Sequence, residues 1–104
     1  MEAQNTARLY FSNKQAKDGY IKNAVRSLTW RKITANALQA LGIEYGTITQ
    51  GLGLYKGGAE PSMQIFILGI EQQTAVKLAQ NIRTAFNQDS VMLDYNGAIS
   101  FIEA

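Results

Sequence analysis

Apolar and polar positions alternate at both ends of the chain and recur at helical spacing in between. Ala7 to Phe11 alternates, with Leu9 and Phe11 on one face and Arg8 and Tyr10 on the other, and predicts a short strand. The run from Ser12 to Gly19 is rich in Asn, Lys, Asp and Gly and predicts a loop. Tyr20 to Arg26 is ambiguous; Ile21 and Val25 suit the start of a helix. Ser27 is a plausible N-cap. Beyond it Trp30, Ile33, Ala37, Leu38 and Leu41 share one helical face, and Gly42 stands where helices commonly end. Trp30 reads as a core or interface anchor ahead of a ligand platform.

A second strand is expected over Tyr45 to Tyr55 and a third over Met63 to Ile70. The Ile65-Phe66-Ile67-Leu68 centre of the third predicts burial on both faces. Glu71 opens a second helix, where a carboxylate suits the positive end of the dipole. Ala75, Leu78, Ala79, Ile82, Ala85 and Phe86 form its apolar stripe, with Lys77 and Arg83 facing out. Ser90 to Tyr95 and Ala98 to Ile102 flank Asn96-Gly97, a strong hairpin signal. The order is β-α-β-β-α-β with an extra C-terminal strand. That is the split βαβ pattern of an α+β, ferredoxin-like sandwich. The 104 residues predict a single domain, with polar residues 1–6 as a loose tail.

Composition removes whole classes of chemistry. The chain has no cysteine and no histidine, so disulfides, thiolate metal sites and Ser-His-Asp catalysis are excluded. No metal site is expected. The net charge is +2 and the basic residues are scattered, which gives no support to nucleic-acid binding. No apolar run is long enough to span a membrane, and no signal-peptide core is visible, so a cytoplasmic location is expected.

Candidate chemistry concentrates between Tyr45 and Glu60. Five of the nine glycines fall there, at 46, 51, 53, 57 and 58. Gly51 and Gly53 within a strand suggest a bulge or the close approach of another body. Tyr55 and Glu60 flank Lys-Gly-Gly-Ala; if that link is a tight hairpin, the phenol and the carboxylate come near each other. The plain alternative is a glycine-rich hairpin and nothing more. Glu71 is accounted for as a first-turn carboxylate, and Asp89 and Asp94 as turn and surface groups. Glu60 has no such local explanation.

The stretch Gly-Thr-Ile-Thr-Gln-Gly-Leu-Gly-Leu-Tyr-Lys-Gly resembles the second strand of PII-type signalling proteins, ferredoxin-like homotrimers that bind adenine nucleotides between subunits. Two departures matter. The long loop between the second and third strands is cut to a few residues. Asn87, Gln88 and Asp89 stand where a basic phosphate-binding set would be. From Leu9 to Ile102 the chain also resembles the bacteriophage S-adenosylmethionine lyases, formerly called hydrolases. The resemblance rests on Phe11-Ser12-Asn13, on Tyr55 to Glu60, and on Gln88 to Leu93. It implies a PII-like homotrimer that cleaves S-adenosylmethionine into methylthioadenosine and homoserine lactone, a phage counter-defence activity, with no cofactor beyond the substrate. It implies that Tyr55 and Glu60 hold the amino-acid end of the substrate. Phe11, Ser12, Asn13, Gly51, Leu52 and Gly53 are the further candidates for substrate contact. For Phe11 and Ser12, strand-end packing and a turn is the other reading. Two alternatives stand beside the lyase: a non-catalytic PII-like sensor of an adenine-containing ligand, and an interaction module without one.

Overall fold

The computed structural model describes residues 4–12, 20–55 and 57–103, with the backbone alone for 20–29, 55 and 60. The order is β1 (Thr6–Ser12), α1 (Tyr20–Ala40), β2 (Thr47–Tyr55), β3 (Gly58–Leu68), α2 (Gln72–Ala85), β4 (Ser90–Tyr95) and β5 (Ala98–Glu103). The five strands form one antiparallel sheet in the order β2-β3-β1-β4-β5. This is the ferredoxin-like arrangement, with β5 added beyond β4.

The core lies between one face of this sheet and the two helices. Ala7, Leu9 and Phe11 of β1 meet Met63, Ile65 and Ile67 of β3 and Val91 and Leu93 of β4, all buried. The α2 stripe of Ala75, Leu78, Ala79 and Ile82 covers them, followed by Phe86. From α1, Trp30, Thr34 and Leu38 are buried, with Ile33, Ala37 and Leu41 half-buried beside them. Thr34 is a polar residue in the core; its hydroxyl donates to the Trp30 carbonyl at 2.7 Å, so burial leaves no orphan group.

Both helices end in the same motif. In α1 the amide of Gly42 donates to Gln39 and that of Ile43 to Leu38, with Gly42 at φ +72°. In α2 the amide of Asn87 donates to Thr84 and that of Gln88 to Arg83, with Asn87 at φ +51°. These are Schellman caps, which satisfy carbonyls the helix cannot. The Asn96-Gly97 turn also forms as expected, with both residues at positive φ, 53° and 89°.

Several expectations need correction. Helix α1 starts at Tyr20, so Ser27 lies inside it and is no N-cap. Strand β3 starts at Gly58 and runs through Pro61. The proline is tolerated there because, among the described residues, pairing with β1 reaches only to Ser62 and β2 is the one strand beside Pro61. Strand β2 begins at Thr47, and Tyr45 is exposed ahead of it. Only one face of β3 is covered: Ile65 and Ile67 are buried, while Phe66 is half-buried and Leu68 exposed. Ala85 is exposed because the stripe passes from Ile82 to Phe86. Arg83 does not simply face out; its guanidinium donates to the Gln88 carbonyl at 3.2 Å. Asn5 and Thr6, expected to be loose, are tied down. Asn5 accepts from Gly69, and Thr6 donates to the Asn96 side chain.

Candidate functional site

Strand register lays out the sheet face away from the helices row by row. One row reads Thr47, Phe66, Arg8, Asp94 and Ile99 from edge to edge. The next reads Thr49, Gln64, Tyr10, Met92 and Phe101. Then come Gly51, Ser62 and Ser12, and beyond them Gly53 opposite Glu60 and Tyr55 opposite Gly58. Positions 55 and 60 are therefore diagonal neighbours of one parity, as the tight-hairpin expectation requires. Tyr55 pairs with Gly58 at the end of the β2–β3 ladder, and Gly57 stands at φ +78°. The side chains of Tyr55 and Glu60, and Asn13 altogether, lie outside the described residues.

The candidate glycines have different causes. At Gly46 a Cβ would sit 3.1 Å from Leu38 Cδ2, so close packing against α1 demands glycine. At Gly51 a Cβ would meet only Ser62 Oγ, at 3.7 Å, and φ is not positive. Among the described residues neither conformation nor packing calls for a glycine at 51. Leu52 falls on the opposite parity, paired with Pro61 and largely exposed, so it does not join Gly51, Gly53 and Glu60.

Phe11 is 4% exposed, and its ring packs against Phe86 at 5.0 Å and 42°. The strand-end packing reading describes it: in the single chain it lies beneath the candidate site, with no open face for a base. Ser12 is half-buried and donates to Gln88 Oε1 at 3.1 Å. Two neighbours were missed as site residues. Ser62 was legible, because two residues on from Glu60 along a strand is the same face. Gln88 was quoted only as part of a matching run; nothing local signals a partner 76 residues away.

Two clefts, of about 350 and 360 Å³, lie near Glu44, Tyr45 and Leu68, at the other end of the sheet. Neither reaches the hairpin. Among the described residues no group of three carboxylates converges as a metal site. No helix is long and apolar enough to cross a membrane.

Two solved structures share this fold over the full chain. A phage SAM lyase in complex with S-methyl-5'-thioadenosine superposes with a TM-score of 0.61 at 22% identity, covering 100% of this chain and 92% of its own. A phage SAM lyase in the apo state gives 0.65 at 21% identity, covering 100% and 95%. No protein-family model and no curated protein matches the chain. The structural resemblance to phage SAM lyase therefore holds at the level of fold.

Proposed function

We propose that this protein is a lyase that degrades S-adenosylmethionine to methylthioadenosine and homoserine lactone. The observation that carries the reading is the full-length likeness to phage SAM lyase, one example of which holds methylthioadenosine. The substrate carboxylate attacks the carbon bonded to sulfur. A carbon–oxygen bond forms, the carbon–sulfur bond breaks, and its electron pair neutralises the sulfonium. No proton moves to or from the protein, so a chain without histidine can serve.

What the reaction needs is a folded substrate pose, and such positioning contributes roughly 7–11 kcal/mol. In this reading Glu60 holds the α-ammonium through a charge-assisted hydrogen bond. Tyr55 supports that grip or offers its ring to the sulfonium. Gly51 and Gly53 leave room for the ligand against the β2 backbone. Ser12 lies on the same sheet face, with Phe11 on the core side of it, and Asn13 is a further candidate contact.

The site is completed by other copies. We propose a homotrimer whose subunits pack through the open sheet face, where Leu68, Ile99 and Phe101 are 56%, 61% and 62% exposed. Among the described residues β3 has only β2 beside it beyond Ser62, and in this reading a neighbouring subunit covers that side. In this reading the protein acts in the host cytoplasm, where S-adenosylmethionine is used.

The test is direct. Purified protein incubated with S-adenosylmethionine is expected to give methylthioadenosine and homoserine lactone by mass spectrometry. Homoserine in place of the lactone at early times would mean hydrolysis. Binding without turnover would favour the sensor reading.

A further inference from the structure

The end of β1 is braced from behind by the turn that follows α2. Gln88 is buried, at 5% exposure, although its side chain is a polar amide. Its Nε2 donates to the Phe86 carbonyl at 3.1 Å, which fixes the orientation of the amide. Oε1 is then the atom facing Ser12, and the Ser12 hydroxyl donates to it at 3.1 Å. The backbone of Gln88 is held as well: its amide donates to Arg83, and its carbonyl accepts from the Arg83 guanidinium. The Phe11–Phe86 ring contact fixes the adjacent residues on both sides.

This arrangement sets a polarity. A serine hydroxyl has one proton and two lone pairs. With the proton committed to Gln88, Ser12 has only acceptor capacity left. Ser12 is half-buried and lies opposite Ser62, one row from Glu60. We infer that Ser12 accepts a hydrogen bond from a donor on the bound nucleoside, and that Gln88 is the positioning residue that makes Ser12 an acceptor. This rests on the proposed function, since it takes the ligand to be an adenine nucleoside. The donor is a ribose hydroxyl or the purine amino group.

The experiment titrates methylthioadenosine and its 2′-deoxy, 3′-deoxy and 6-oxo analogues into the wild type, Ser12→Ala and Gln88→Met. The wild type is expected to bind one analogue about two- to tenfold more weakly than methylthioadenosine, the size of one neutral hydrogen bond. Which analogue it is identifies the donor. In Ser12→Ala and Gln88→Met that ratio should fall to about one. A merely structural role would weaken all four ligands alike and keep the ratio, and that result overturns the inference. So does a wild type that binds all four equally. Should Gln88→Met fail to fold, Ser12→Ala decides, because it removes a single hydroxyl. A wild type that binds methylthioadenosine without cleaving S-adenosylmethionine rejects the lyase, while the ratios still decide the role of Ser12. One that binds no nucleoside rejects both.

Discussion

Among the described residues a methyl group at position 51 would touch only the Ser62 hydroxyl, at 3.7 Å. Gly51→Ala is therefore expected to leave the melting temperature unchanged or slightly raised, since removing a glycine lowers unfolded-state entropy by about 0.4–1 kcal/mol. If substrate lies against this stretch of β2, the same change raises KM, and Gly51→Val raises it further. Steady-state kinetics beside a thermal melt checks both halves; a lowered melting temperature with unchanged KM would make the glycine structural. Glu60→Gln keeps shape and removes charge. Its turnover is expected to fall about ten- to hundredfold with folding intact, the loss of one charge-assisted contact of about 1.5–3 kcal/mol. Tyr55→Phe should be milder if the ring faces the sulfonium, and comparable if the hydroxyl matters. A Glu60→Gln protein that keeps the wild-type rate would remove Glu60 from the mechanism. At this scale it is the observed register that groups 51, 53, 55, 60 and 62 on one face, whereas the sequence had joined Leu52 to Gly51 and Gly53. The sequence was silent about Gln88, whose role depends on a contact between distant segments.

Each element was legible where a local rule acted on it. The Gly42 cap and the Asn96-Gly97 turn were readable because positive φ selects few residues. Gly97→Ala, at φ +89°, is expected to cost about 1–3 kcal/mol, a fall of several degrees in Tm by calorimetry. The turn matters beyond its own strands, since Asn96 also accepts from the Thr6 amide and donates to the Asn5 side chain. Element starts were less legible. Ile21 and Val25 suited the start of α1, but a serine that is good at a cap drew the boundary to itself. The third strand was expected only from Met63, yet β3 takes in Pro61, where β1 no longer pairs with it among the described residues. Burial of β3 on both faces was misread because four successive apolar residues suit either a doubly covered strand or one whose outer face meets another chain.

For the whole molecule, the order of elements was enough to give the ferredoxin-like topology, and the added β5 came with it. Assembly lies beyond a single chain. Light scattering at micromolar concentration is expected to give the mass of a trimer, and Phe101→Glu to shift it toward monomer with the melting curve largely kept. A monomer mass for the wild type would contradict the proposed packing. Among the described residues the buried core comes from β1, β3, β4, the two helices and the adjoining Ile70 and Phe86, and none of it lies on the outer face. On the proposed assembly, folding is then first order in chain while site formation is of higher order. Specific activity would depend on dose. Few copies in a cell would be folded yet silent, and activity would rise faster than expression until the trimer saturates.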